Sequence, residues 1–146
     1  MEIEIKAFEA LSVNELYELL ALRNEVFIIE QNCVYQDLDG YDQKALHVLV
    51  RDNNELAAYA RIFNSGIKYE TASIGRVIVS PRKRNLKLGH VLVKHAIEGI
   101  QKHFKTHLIT ISAQEQLQKF YGAHGFETTS ESYFEDNIPH VEMQIR

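Results

Sequence analysis

Scarcity narrows the reading first. The 146 residues contain one cysteine, Cys33, so no disulfide can close within the chain. A cysteine-rich zinc site is disfavoured for the same reason, and a reducing compartment, the cytoplasm, is the expected location. Tryptophan is missing and there are only two prolines. No linker, repeat or low-complexity tract interrupts the sequence, so one globular domain over 1–146 is expected. No apolar run approaches the ~18 residues that span a bilayer. The opening MEIEIKAFEA alternates charge where a signal peptide would be apolar. No membrane partner is expected.

The charge that is present is unevenly spread. Overall the balance is −4, yet residues 1–42 hold ten acids against Lys6 and Arg23. Residues 71–97 hold Arg76, Arg82, Lys83, Arg84, Lys87 and Lys94 and no acid. A nucleic-acid binder usually shows a basic overall balance and a broad stripe, so no nucleic-acid partner is expected. An enzyme joining an anionic cofactor to a cationic substrate suits the pattern better.

Local patterns place the elements. "EIEIKAF" alternates as a strand does. "LSVNELYELLALRNEVF" reads as a helix, with Ser12 and Glu15 as a capping box and Leu11 against Leu16 as a hydrophobic staple. "ALHVLVRD", "ELAAYARIF" and "ASIGRVIVS" read as three successive strands, the first two joined by "DNN". Leu88, Leu92, Ala96, Ile100 and Phe104 recur at i+4, which predicts a long amphipathic helix from Leu86 to about His103. "HLITIS" is then a buried strand, "QEQLQKFYGAHG" a second helix, and the remainder a hairpin turned near Asp136-Asn137. Strands alternating with helices in the second half predict an α/β fold, a mixed sheet with helices on both faces.

The basic stretch "PRKRNLKLGHVLVKHAI" lies between a strand and a helix. The first turn of a helix carries N–H groups without intrahelical partners and the positive end of the dipole, which makes it an anion cradle. Gly89 allows close approach of the backbone, and Arg84 and Lys87 add charge. Neither GxxxxGK[ST] nor GxGxxG is present, so the common nucleotide fingerprints do not apply. From these residues alone a phosphate site and a solvated basic face both stand.

"VIVSPRKRNLKLGHVLVKHAI" resembles motif A of the GNAT superfamily of acyl-CoA N-acyltransferases, Arg/Gln-x-x-Gly-x-Gly/Ala. Arg84 matches its first position and Gly89 its last, whereas Lys87 stands where the middle glycine is usual. "LQKFYGAHGF" is similar to the superfamily's FYxxxGF element. "VFIIEQNCVYQDLDGYD", "AYARI", "IGRVIVS" and "NIPHVEM" resemble the ElaA-like branch, in that order, over nearly the whole chain.

The resemblance implies a GNAT-like fold, with a mostly antiparallel mixed sheet, one splayed strand pair and helices on both faces. It implies acetyl-CoA as co-substrate, with the pyrophosphate on the loop Arg84, Asn85, Leu86, Lys87, Leu88, Gly89 and His90. The pantetheine arm would pair with Val77, Ile78 and Val79, and Phe120 and Tyr121 would border the same site. A backbone N–H near Val79 would polarise the thioester carbonyl. An amine would attack directly, and Tyr121 would protonate the leaving thiolate; its other reading is a core aromatic beside Phe120 and Phe126. The base that deprotonates the ammonium is expected among Glu30, His47, His140 and Glu142, with Glu30 and His140 foremost. Superfamily members often pair through sheet edges, so a homodimer stays open.

Three other signals are weaker. "DLDG" places its glycine too early for a calcium loop. His103 and His107 have no second ligand pair, so no metal is expected. Cys33 has no basic neighbour in sequence to activate it. Arg61 and Arg76 fall within strands, where charge must be paired, and Asp37, Asp39 and Asp42 are the expected partners, first as structural ion pairs around a rigid acceptor loop and second as substrate contacts. The reading is therefore an acetyl-CoA-dependent N-acetyltransferase acting on a primary amine, a small molecule or a lysine side chain. The acidic first third hints at a cationic acceptor, such as a polyamine, an amino sugar or a lysine side chain. A non-catalytic acyl-CoA-binding or sensing module is the alternative.

Overall fold

A computed structural model describes residues 1–146. Eight strands form one sheet: β1 Glu2–Ala7, β2 Leu46–Asp52, β3 Glu55–Phe63, β4 Ala72–Val79, β5 Ile109–Gln114, β6 Glu127–Thr128, β7 Tyr133–Glu135 and β8 Ile138–Ile145. Their order is β1-β2-β3-β4-β5-β8-β6, with β7 also paired to β8. Every pairing is antiparallel except β4 with β5.

The period of two in the strands divides the interior. Val48, Val50, Ala58, Ala60 and Ile62 face one way and pack with helix α2, Leu88–Phe104. Leu49, Tyr59 and Ile78 face the other way and pack with helix α1, Val13–Arg23. Helices thus cover both faces, as expected. Helix α2 buries Leu88, Leu92, Val93, Ala96 and Ile100 on the predicted stripe. Truncating one of these, Leu92→Ala for instance, costs about 2–5 kcal/mol at such sites. The helix lies so close to the sheet at Gly99 that a Cβ there would sit 2.7 Å from Ile5 Cδ1.

The local signals act as chemistry requires. Ser12 Oγ accepts from the Glu15 N–H at 3.0 Å, and Glu15 Oε1 accepts from the Ser12 N–H at 2.8 Å. Asn53 and Asn54 both take positive φ (51° and 66°), as do Asp136 and Asn137 (50° and 64°). Left-handed pairs of this kind close two-residue hairpins whose twist matches the strands.

Two expectations on helices need correction. Helix α1 stops at Arg23, and Asn24–Glu30 continues as a wider turn with bonds of the Gln31 N–H to Val26 O type. The expected helix over 114–125 is largely absent. Gln114 is still extended in β5, a 3₁₀ turn occupies Glu115–Leu117, and helix α3 is only Gln118–Gly122. Tertiary pairing of Gln114 with His140 of β8 overrides the local propensity there.

Candidate active site

Strands β4 and β5 run in parallel register only at Ala72 with Ile109 and Ser73 with Thr110. Beyond those two pairs they part, and a cavity of about 380 Å³ opens, its wall including Gly75, Val77, Ile111, Tyr121 and His140. Just beyond the last pair, from Gly75, β4 is itself irregular. From Tyr59 to Arg61 strand β3 advances two residues while β4 spends three, Ile78 to Gly75. The extra residue makes a bulge with Arg76 at φ 51°. A bulge bends its strand and leaves one residue outside the ladder, so β4 can pair with β3 on one side and part from β5 on the other.

At the end of β4, Ser80 and Pro81 lead into a 3₁₀ turn, Pro81–Leu86. Lys87 then adopts the left-handed conformation, φ 55° and ψ 38°, and caps α2 with no side-chain partner. The motif position where glycine is usual therefore has the backbone that favours glycine, carried here by a lysine. The unpartnered N–H groups of the first turn of α2 open beside this corner. A Cβ on Gly89 would stand 3.2 Å from two ring carbons of Phe120 and 4.0 Å from Val79 Cγ2, so the loop closes tightly on both. His90 lies against the same ring and its Nδ1 is 2.8 Å from His124 Nε2. These features fit an anionic, phosphate-bearing guest. Arg84 reaches Val79 O with Nε at 3.3 Å and spends its two terminal nitrogens on Glu30, at 2.8 and 2.6 Å.

The strand residues separate by face. Val77 and Val79 pack towards the α2 side, while Ile78 is buried in the cluster of α1. Tyr121 is 7% exposed and lines the cavity. Burial pushes its phenol well above the ordinary tyrosine range, so the proton stays on oxygen at neutral pH.

The four candidate bases fall in different places. Glu30 lies beside the Pro81–Leu86 turn, outside the cavity wall, and the Arg84 guanidinium holds its carboxyl below the usual range. His47 is fully buried, with Nδ1 2.6 Å from the Tyr59 hydroxyl and Nε2 2.9 Å from Asp42 O; burial lowers its pKa. Glu142 accepts from Thr129 Oγ1 at 3.0 Å, away from the cavity wall. Only His140 lines the cavity.

The three aspartates and two arginines meet as the strand argument required, joined by Arg23. Arg23 donates to Asp37 Oδ2 at 2.8 Å and to Asp42 Oδ1 at 2.7 Å, and Arg61 donates to Asp39 Oδ1 and Asp42 Oδ1 at 2.9 Å each. Arg76 Nε lies 2.7 Å from Asp37 Oδ1. Burial alone would raise the carboxyl pKa values of Asp39 and Asp42, but the guanidinium hydrogen bonds hold both below the ordinary range. Arg23 escaped the sequence reading, although it sits four residues after Leu19 on the buried stripe of α1. Three of the ten acids of residues 1–42, Asp37, Asp39 and Asp42, are thus paired internally. No three His, Cys, Asp or Glu side chains come together as a metal-holding group, and no helix is long and apolar enough to cross a membrane.

The sheet, the parted strands and the loop define an acyltransferase of the GNAT class. The model of the Acetyltransferase (GNAT) domain matches residues 10–146, and the chain belongs to that family. It is similar to Protein ElaA of Escherichia coli K12, 46% identical over 135 residues, 91% of this chain and 88% of that one. A UPF0039 protein of Schizosaccharomyces pombe is 39% identical over 99% of this chain and 97% of its own length. Among solved structures, an acyl-CoA N-acyltransferase from Pseudomonas aeruginosa superposes with a TM-score of 0.93 at 36% identity, covering 100% of both chains. Escherichia coli ElaA superposes with a TM-score of 0.92 at 42% identity, covering 99% of both.

Proposed function

We propose that this chain moves an acetyl group from acetyl-CoA directly to a primary amine in a ternary complex, without an acyl-enzyme. The observation that carries the reading is the parting of β4 from β5 beside the left-handed corner at Lys87. A thioester arm laid along β4 would have its anionic end at the first turn of α2 and its reactive end in the cavity.

In this reading the backbone from Arg84 to His90 holds the pyrophosphate, aided by the positive end of the α2 dipole. Val77 and Val79 flank the arm, and Phe120 backs the loop at Gly89. A backbone N–H freed by the β4 bulge steadies the developing oxyanion. Tyr121, protonated and buried at the cavity wall, delivers its proton to the departing thiolate. The amine arrives as an ammonium and must lose a proton before it attacks. A cytoplasmic location belongs to the same proposal, and the acyl group is taken as acetyl.

The test is calorimetric titration of acetyl-CoA, with ATP and a short DNA duplex as controls, followed by an amine screen. Selective binding of acetyl-CoA with turnover supports the reading. Selective binding with no turnover on any amine makes the chain an acyl-CoA-binding module. Equal or absent binding across the three ligands overturns both.

A further inference from the structure

His140 and Glu135 form a pair that the reading above does not use. His140, on β8, is 7% exposed and lines the cavity with Glu135, the last residue of β7. Its Nδ1 is 2.7 Å from Ile138 O. A carbonyl can only accept, so Nδ1 carries a hydrogen and the neutral ring keeps its lone pair on Nε2. That Nε2 lies 3.5 Å from Glu135 Oε2. Glu135 is held from behind, because its other oxygen accepts from Ser112 Oγ at 3.1 Å. The Tyr133 ring lies nearly parallel to the imidazole, with 6.3 Å between centroids.

In the neutral state two acceptors therefore face each other, an imidazole lone pair and a carboxylate. Such an arrangement is satisfied by a cation that donates to both. The charged groups around it are few. Glu135 is the carboxylate against the ring, Tyr133 lies nearly parallel to it, Asp136 continues the turn, and the β5 partner Gln114 does not titrate. Elsewhere on the cavity wall stand Lys68 and Arg76. Both oxygens of Asp39 already accept from Arg61, and Lys68 Nζ lies 3.7 Å from Asp39 and 4.1 Å from the centre of the Tyr41 ring. Lys68 is thus the surplus cation of that side.

Resting on the acyltransferase reading, we propose that the acceptor's ammonium sits between His140 Nε2 and Glu135, with His140 as the base, and that the rest of the acceptor is neutral or anionic. One ammonium proton passes to Nε2, leaving a neutral amine. The amine nitrogen bonds to the thioester carbon and the C–S bond breaks. The thiolate takes the Tyr121 proton, the new amide nitrogen sheds its extra proton to solvent, and the proton held on His140 returns through solvent to the Tyr121 oxygen, which restores both side chains. The sum is ammonium plus thioester giving amide, thiol and one proton. A polyamine would bring its second cation towards Lys68 and Arg76, so amino-acid-like monoamines are favoured over diamines.

The test uses the full chain with acetyl-CoA, a panel of amino acids and amino-acid amides, and putrescine and spermidine. Turnover of a monoamine at least 10-fold above the diamines is expected. Glu135→Gln should raise the KM for that amine about 10-fold with kcat little changed. His140→Ala should lose about 100-fold in kcat and recover part of it with added imidazole. Lys68→Glu should narrow or reverse the monoamine preference. Acetyl-CoA affinity should match wild type in all three variants, which separates this proposal from misfolding. Wild-type rates in His140→Ala, or a preference for diamines, overturns the seat and leaves the acyltransferase standing. Failure of wild type to bind acetyl-CoA overturns the acyltransferase itself. In that case nitrogen NMR of the His140 ring, titrated with glycinamide, still decides the seat: a shift at Nε2 that Glu135→Gln removes supports it, and no shift overturns it.

Discussion

Arg84 and Glu30, 54 positions apart, meet in a two-pronged ion pair with distances of 2.8 and 2.6 Å. The pair joins the Pro81–Leu86 turn to the end of the wide turn that follows α1. Its neighbours repeat the pattern: Arg82 meets Glu25 and Glu55, and Lys83 meets Asp52. The crowding of basic residues after Pro81 is thus answered largely by acids of the wide turn after α1 and of the β2–β3 hairpin.

Glu30→Gln separates two roles. If Glu30 competes with phosphate for Arg84, the variant should bind acetyl-CoA several-fold more tightly, with kcat nearly unchanged. If Glu30 is the base, kcat should fall about 100-fold or more while affinity changes little. Calorimetry and initial rates on the same preparation decide between them.

Tyr121→Phe should lower kcat by about 100-fold or more, the usual share of a general acid. Acetyl-CoA affinity should stay within about 2-fold, because the ring packing against Phe120 and Phe126 is retained. Unchanged turnover from pH 6 to 9 would remove the phenol from the mechanism.

Lys87 tests the left-handed corner. Lys87→Gly relieves the conformational cost and should leave stability equal or higher, within about 1 kcal/mol. Lys87→Val places a β-branched side chain at φ 55° and should cost about 1–2 kcal/mol. Thermal denaturation of the two variants should fall on opposite sides of wild type or show valine alone displaced.

Asp42 bridges Arg23 and Arg61. Asp42→Asn leaves two buried guanidinium groups short of a carboxylate and should destabilise by about 3–5 kcal/mol in urea unfolding.

Acid should unfold the protein in a defined order. His47 is held below its ordinary 6.5 by burial, so the stability it contributes is present above pH 6.5 and falls as the ring is forced to protonate at lower pH. Asp39 and Asp42 are held below their ordinary 3.8, so their contribution is present above that value and is lost further down, as they protonate. Urea midpoints measured from pH 7 to pH 3 should decline from about pH 6.5 and steepen below about pH 4. A flat profile over that range would contradict the network.

What the sequence determined by itself are the features whose partners lie within a few residues. The Ser12–Glu15 box, the left-handed turns at Asn53-Asn54 and Asp136-Asn137, and the apolar stripe of α2 are settled by contacts along the chain or one turn apart. The motif residues from Arg84 to Gly89 and the Phe120–Phe126 element were legible through their spacing, and they carried the family with them. Tertiary structure alone decided the rest. The parting of β4 from β5 depends on a bulge opposite β3, the burial of Arg23 on aspartates 14 and 19 residues away, and the facing of His140 and Glu135 on the twist of a hairpin. The pairing of Glu30 with Arg84 was not legible because its partner lies 54 positions along the chain. The physical reason is the same in each case: a charged or polar side chain takes its function from what it meets after the chain folds, and distance along the chain does not encode that meeting.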